Sequence, residues 1–88
     1  MRLVWTEEGW DDYLYWQKND QRIVRRINEL IRDSKRDPFR GIGKPEPLKF
    51  ARAGWWSRRI TGEHRFVYRV TGQGDARQLE IASCRYHY

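Results

Sequence analysis

Cysteine is nearly absent from this chain of 88 residues, in which Cys84 is the only one. A single thiol cannot close an internal disulfide framework and cannot supply a cysteine-based zinc site. Histidine is almost as scarce, since only His64 and His87 occur, and no suitable carboxylate cluster accompanies them. We therefore expect no metal and no other cofactor, and the lack of paired cysteines suits a reducing compartment.

Long apolar runs are also missing. The first eight residues, Met1-Arg2-Leu3-Val4-Trp5-Thr6-Glu7-Glu8, contain neither the apolar stretch of a secretory signal nor the span of a membrane helix. No internal repeat and no low-complexity tract occurs. A chain this short has room for one core only. We therefore predict a cytoplasmic protein with no membrane partner, folded as one domain over residues 1–88.

Aromatic and basic residues are abundant instead. Five tryptophans, five tyrosines and three phenylalanines must supply much of the buried area of so small a core. Eighteen lysines and arginines against twelve acidic residues give a net charge of +6. Such a surplus on a small body attracts polyanions, and most of the cations are arginines, whose planar fork suits phosphate. Nucleic acid is therefore the first candidate partner.

The hydrophobic pattern predicts six elements in the order β-α-α-β-β-β. They are a strand at Leu3-Val4-Trp5, helices from about Glu7 to Lys18 and from about Gln21 to Lys35, and strands at Trp56–Thr61, His64–Val70 and Gln78–Cys84. Thr6 and Asp20 precede the helices as capping residues. Two helices followed by consecutive strands are typical of the α+β class, so we predict two N-terminal helices packed on one face of a small antiparallel sheet.

Helical spacing predicts which faces are buried. In the first helix, Trp10, Tyr13 and Leu14 share a stripe that we expect to face the core. The second helix has the strongest periodicity of the chain, at Ile23, Val24, Ile27, Leu30 and Ile31. Its opposite face carries a basic ridge, defined as Arg22, Arg25, Arg26, Arg32 and Lys35. That ridge is either a solvated face or a surface that docks on an RNA backbone.

The segment Gly41-Ile42-Gly43-Lys44-Pro45-Glu46-Pro47 is predicted to be an irregular loop, because glycine or proline interrupts it at nearly every step. The two prolines around Glu46 restrict the backbone there. The Glu46 carboxylate on this stiffened loop is either held in position for a function or lies there by chance.

The first hairpin contains two arginines, Arg59 and Arg65, placed symmetrically about Gly62. A loop with an odd number of residues puts both on the same face of the sheet, directly opposite each other, whereas a two-residue turn puts them on opposite faces. Like charges opposite each other repel, and a bound phosphate would explain the pair. The alternative is two solvated arginines. We expect His64, the terminal residue at the start of the next predicted strand, to be structural.

The chain closes on Cys84-Arg85-Tyr86-His87-Tyr88. The imidazole of His87 can exchange a proton near neutral pH, and the neighbouring tyrosines offer stacking surfaces for unpaired bases. The alternative is a surface histidine at a disordered terminus.

RNA cleavage without a metal needs a base for the 2′-hydroxyl, a cation for the phosphorus centre and an acid for the leaving oxygen. Glu46, Arg59 with Arg65, and His87 are residues of these types. They lie on three separate segments, so their convergence is a hypothesis.

Seven segments together resemble the Txe/YoeB branch of the RelE-like toxins, from bacterial toxin–antitoxin pairs, along the whole chain. They are Trp10-Asp11-Asp12-Tyr13-Leu14-Tyr15-Trp16, Arg22-Ile23-Val24, Ile27-Asn28-Glu29-Leu30-Ile31, Gly43-Lys44-Pro45-Glu46-Pro47-Leu48-Lys49, Trp56-Ser57-Arg58-Arg59-Ile60-Thr61, Glu63-His64-Arg65 and Cys84-Arg85-Tyr86-His87-Tyr88. Residues 50–55 and 71–77 depart from the family pattern.

The resemblance implies a microbial ribonuclease-like fold and an endoribonuclease that cuts translated mRNA in the A site of the 70S ribosome, inhibiting translation. It implies that Glu46 is the general base, that Arg65 stabilises the phosphorane and that His87 is the general acid. Lys49, Arg59 and Tyr88 fall on positions that hold the scissile phosphate and stack the neighbouring base.

The resemblance also implies two protein partners. One is an acidic, partly disordered antitoxin of the YefM type, and binding of an acidic segment agrees independently with the charge of +6. The other is a second copy of the chain, in a homodimer.

Two alternatives belong to other functional classes. One is a non-catalytic binder of the same fold that inhibits DNA gyrase, against which the joint presence of Glu46, Arg65 and His87 argues. The other is a simple RNA-binding module, which retains RNA with a steep dependence on salt and leaves its length unchanged.

Overall fold

The computed structural model describes residues 1–86, so His87 and Tyr88 lie outside the described residues. Its strands are β1 (Arg2–Trp5), β2 (Glu46–Pro47), β3 (Trp56–Arg59), β4 (Arg65–Thr71) and β5 (Gln78–Ser83), and its helices are α1 (Glu7–Asn19) and α2 (Gln21–Arg36). Single 3₁₀ turns occur at Phe50–Arg52 and Gly74–Ala76. The strands form one sheet in the order β1-β5-β4-β3-β2. The predicted α+β class, with two helices on one face of the sheet, is confirmed.

Both helices begin at the predicted caps. The Thr6 hydroxyl oxygen accepts from the Gly9 backbone N–H at 3.0 Å and donates to the Ala82 carbonyl at 2.8 Å, so the cap also ties α1 to β5. A Cβ atom at Gly9 would lie 2.6 Å from the Ile81 carbonyl oxygen. Glycine is therefore required where α1 crosses β5. Asp20 caps α2 by accepting from the backbone N–H groups of Arg22 and Ile23.

The core lies between α2 and the sheet, as the periodicity predicts. Val24, Ile27 and Leu30 are buried from the α2 side. They belong to one cluster with four sheet residues, which are Phe66, Tyr68, Leu79 and Ile81. Of the basic ridge, Arg22, Arg25, Arg32 and Lys35 are exposed and Arg26 is half-buried.

The predicted buried stripe of α1 is wrong at two of its three positions. Tyr13 is half-buried and packs against the core, but Trp10 and Leu14 are 44% and 42% exposed, whereas Trp16 is buried. The indole N–H of Trp16 donates to the Cys84 carbonyl at 2.8 Å, and the Asp12 carboxylate accepts from the Cys84 N–H at 3.0 Å. The helix therefore packs through a face that includes a carboxylate, which a search for apolar periodicity passes over.

Two features of the sheet also differ from the prediction. β1 pairs in parallel with β5, so the sheet is not purely antiparallel. Glu46 and Pro47, expected in an irregular loop, form a two-residue edge strand that pairs with Ser57 and Trp56 of β3. An edge strand tolerates Pro47 because its missing N–H removes no bond from an interior ladder.

No helix within residues 1–86 is both long enough and apolar enough to cross a bilayer.

Candidate active site

The register of β2, β3 and β4 brings three predicted site residues to one face of the sheet. Glu46 pairs with Ser57, and Arg59 pairs with Arg65. Paired residues share a face, and so do residues two apart on one strand. Glu46, Arg59 and Arg65 therefore lie on the face opposite to the helices. Strand spacings of about 4.8 Å and rises of about 3.4 Å put the Cα atoms of Glu46 and Arg65 roughly 12 Å apart, a distance that two extended side chains can span.

The two arginines of the first hairpin are directly opposite each other, which confirms the prediction for a loop with an odd number of residues. The Arg59 N–H donates to the Gly43 carbonyl at 2.6 Å, and the Arg26 guanidinium reaches the Arg59 carbonyl at 3.4 Å. Arg59 is exposed and Arg65 is half-buried. Two cations held side by side by backbone contacts form a site that favours an anion.

The Arg65 guanidinium is oriented by its own hairpin. Its Nη1 donates to the carbonyls of Thr61 at 2.9 Å, His64 at 3.2 Å and Gly62 at 3.3 Å. These bonds fix the long side chain before any ligand arrives, so less conformational entropy is lost when it binds one.

The C-terminal segment is attached beside Arg65. The Tyr86 N–H donates to His64 Nδ1 at 2.7 Å, and the Arg65 N–H donates to the Tyr86 carbonyl at 3.0 Å. The His64 ring also contacts the ring of Trp16, with centroids 4.8 Å apart. These contacts agree with the structural role expected for His64 and place the last described residue of the chain next to Arg65. The roles predicted for His87 and Tyr88 fall outside the described residues and stay predictions.

Lys49 lies close to Glu46, at an open cleft of about 320 Å³ at the edge of the sheet. The cleft is lined by Glu46, Pro47, Leu48, Lys49, Phe50 and Arg52. Lys49 is exposed, and it comes directly before the 3₁₀ turn. The cleft therefore places a carboxylate and two cationic residues around one opening.

A buried arginine, which the sequence analysis did not single out, fixes the loop before Glu46. Arg58 has no exposed surface. Its acceptors are the Asp33 carboxylate, the Tyr68 hydroxyl and the carbonyls of Asp37, Arg40 and Ile42. The sequence does carry a signal for this burial. Side chains alternate along a strand, so the adjacent Arg58 and Arg59 must point to opposite faces of β3.

Asp33 completes this network. Its partial burial alone would raise the pKa of the carboxyl, but hydrogen bonds from Arg58, the Ile42 N–H and Arg36 outweigh burial and lower the pKa to about 2. The ionised carboxylate thus joins α2 to the loop and to β3. Gly43 closes the same loop with φ +79, and a Cβ there would lie 2.9 Å from Leu30. The segment leading to Glu46 is held from several directions.

The salt bridges described within residues 1–86 join Asp33 to Arg36 and Arg58, and Glu80 to Arg69. Over the same residues, no group of three or more His, Cys, Asp and Glu side chains is arranged to hold a metal ion. Burial raises the pKa of the Cys84 thiol well above its usual value, which makes it a poor nucleophile.

Residues 5–88 match the family model for the YoeB-like toxin of bacterial type II toxin–antitoxin systems. The small basic α+β body with paired arginines and a carboxylate on one sheet face is therefore a toxin of this class. Toxin YoeB of Escherichia coli (strain K12) is 64% identical over 88 residues, which is the whole of both chains. The chain therefore belongs to the YoeB toxin family.

Solved structures agree with this assignment. A YoeB/ParE toxin from Agrobacterium tumefaciens superposes with a TM-score of 0.96 at 62% identity, over 100% of both chains. A YoeB dimer from Staphylococcus aureus gives a TM-score of 0.88 at 43% identity, over 100% of this chain and 98% of that one. The YoeB chain of a heterotetrameric YoeB–YefM complex from the same organism gives 0.86 at 44%, with the same coverage. The fold predicted from the resemblance is confirmed.

Proposed function

We propose that this toxin is an endoribonuclease that cuts mRNA in the A site of the translating 70S ribosome, without a metal, and so inhibits translation. The observation that carries the proposal is the shared sheet face of Glu46, Arg59 and Arg65, with the C-terminal segment attached at Arg65. Carboxylate and guanidinium groups are two of the three that metal-free cleavage requires.

The reaction uses each group once. Glu46 accepts the proton of the 2′-hydroxyl, whose oxygen then attacks the adjacent phosphorus. Arg65 and Arg59 stabilise the added negative charge of the five-coordinate phosphorus. His87 gives a proton to the departing 5′-oxygen as its bond to phosphorus breaks. The products are a 2′,3′-cyclic phosphate and a 5′-hydroxyl end.

Two further residues hold the substrate. Lys49 lines the cleft beside Glu46 and would contact the scissile phosphate. Tyr88 would stack on the neighbouring base. A strand held at its phosphate and at its base places the 2′-oxygen in line for attack.

The partners follow from the family and from charge. The structure from Staphylococcus aureus that contains YefM supports an acidic antitoxin of the YefM type as the inhibitor, and the dimer from the same organism supports a homodimer. The ribosome, with mRNA and rRNA as polyanions, suits the net charge of +6. These partners imply a cytoplasmic location.

The experiment is mapping of mRNA 5′ ends after brief expression, with the unaltered protein compared with Glu46→Ala, Arg65→Ala and His87→Gln. Each variant should cut at least about 100-fold less, because each removes a group that acts in the transition state. Glu29→Ala, on an exposed position of α2, and Arg2→Ala, on an exposed position of β1 at the far edge of the sheet, are matched controls that should cut normally.

Three results would contradict the proposal. Undiminished cutting by all three site variants would remove the assigned roles. RNA retention with a steep salt slope and no shortening would favour the RNA-binding module. Loss of supercoiling in a gyrase assay would favour the gyrase inhibitor.

A further inference from the structure

Phe50 is the most exposed large apolar residue within residues 1–86. It is 93% exposed, while the next in order, Tyr86, is 55% exposed. Its backbone has φ +58, a left-handed conformation that a bulky side chain rarely adopts. An aromatic ring that is both in water and on a strained backbone contributes little to folding. Strain of this kind points to a function.

The turn around Phe50 is held by four backbone hydrogen bonds, so the exposure of the ring is built into the fold. Arg52 N–H donates to the Lys49 carbonyl at 3.1 Å, and Ala53 N–H to the Phe50 carbonyl at 3.0 Å. Trp55 closes the segment by bonding to Arg52 and to Leu48. Leu48 is buried and anchors the turn to the body. A rigid turn presents the ring in one place.

The surroundings of Phe50 indicate what it binds. The ring lines the cleft of about 320 Å³ that also contains Glu46, Lys49 and Arg52. Lys49 and Arg52 are exposed on either side of it. An aromatic face between cations is the arrangement that binds single-stranded nucleic acid, because bases stack on the ring while phosphates contact the cations. Lysine is depleted at protein interfaces, so Lys49 beside the ring favours nucleic acid over a protein partner.

We propose that Phe50 stacks on an unpaired base of the RNA strand, one next to the nucleotide whose 2′-hydroxyl faces Glu46. Lys49 and Arg52 contact the phosphates on either side of that base. This inference rests on the proposed function and adds a base-stacking residue to it. The residue lies in segment 50–55, where the chain departs from the pattern of its family.

The test is binding of the full-length protein to a short single-stranded RNA that is 2′-O-methylated throughout and therefore cannot be cut. Phe50→Leu keeps an apolar side chain without a π face, and it should weaken binding about tenfold or more. Phe50→Trp keeps the stacking face and should bind at least as tightly as the unaltered protein. Phe39→Leu is the matched control, since Phe39 is also exposed, and it should bind normally.

Phe50→Gly separates binding from folding. Glycine relieves the positive φ, so thermal stability should stay equal or rise while RNA affinity falls. Replacement of each uridine in turn by 5-iodouridine, followed by irradiation, should crosslink Phe50 at one position of the strand.

Some results would overturn the inference. Equal RNA affinity for Phe50→Leu and the unaltered protein is one of them, and a crosslink confined to other residues is another. A change in self-association without a change in RNA affinity would assign the ring to a second copy of the chain. Cutting of mRNA is measured separately. If the Phe50 variants cut normally, this inference is wrong and the proposed function stands.

Discussion

The two faces of the sheet at β3 hold adjacent arginines in opposite environments. Arg58 points toward α2, is fully buried and has five acceptors, including the Asp33 carboxylate. Arg59 points to the other face, is exposed and lies opposite Arg65. A guanidinium whose donors are used within the protein stabilises the fold, whereas one kept beside a like charge is suited to an external anion. Substitution of Arg58 should therefore lower stability, whereas substitution of Arg59 should lower activity with little change in stability.

The largest effect is expected at Arg58. Arg58→Met keeps the approximate volume of the side chain and removes a donor from the partly buried Asp33, from Tyr68 and from the loop carbonyls. The free energy of unfolding should fall by about 3–5 kcal/mol, measured by urea denaturation. A loss below about 1 kcal/mol would show that the network does not stabilise the loop.

Arg59→Ala should give the reverse result. The side chain is exposed, so stability should change by no more than about 0.5 kcal/mol. Cleavage of mRNA on the ribosome should fall by roughly 100-fold, because a donor to the phosphate is lost. Arg2→Ala, at the far edge of the sheet, is the control for removal of an exposed arginine. Equal activity of the two variants would contradict the assignment of Arg59.

Substitutions of His64 test whether attachment of the C-terminal segment affects cleavage at the face that carries Arg59 and Arg65. His64→Phe keeps a ring against Trp16 and removes the acceptor for the Tyr86 N–H. The maximal cleavage rate should fall about tenfold with little change in KM, because the segment is misplaced. The Tyr86 amide should also exchange with solvent faster.

His64→Asn serves as the conservative control, since its amide oxygen can accept the Tyr86 N–H and restore the rate. If the Phe and Asn variants were equally impaired, the hydrogen bond from Tyr86 would have no positioning role.

The smallest effect concerns acid stability on the buried side of β3. The pKa of Asp33 is about 2 in the folded protein, below its ordinary value of 3.8. The unfolded chain therefore takes up the proton first, and this contribution to stability is lost as pH falls from about 4 to about 2. Unfolding of Asp33→Asn should show a shallower dependence on pH over that range. An unchanged slope would contradict the ionised network.

Local patterns could be read from the sequence. Thr6 and Asp20 revealed the helix starts because capping depends on neighbouring residues. The symmetry of Arg59 and Arg65 about Gly62 was enough to predict their shared face for an odd loop, since hairpin register is also local.

Features that depend on distant pairing could not be read in the same way. The two-residue strand at Glu46 exists only through its pairing with β3, and it is what brings the carboxylate to the arginine face. The packing face of α1 contains Asp12 and depends on Cys84, which is distant in sequence. The residue types of the site were therefore predictable, but their convergence depends on contacts between distant segments.

The parallel pairing of β1 with β5 has a consequence for synthesis. The Thr6 hydroxyl meets the Ala82 carbonyl across 76 positions of the chain, and α1 rests on the same strand. A nascent chain that has not yet reached β5 lacks the partner of β1 and the surface on which α1 packs. Closing so long a loop is slow. We therefore expect each new molecule to reach its native form only after β5 has emerged, so that shorter nascent chains lack the native packing of β1 and α1.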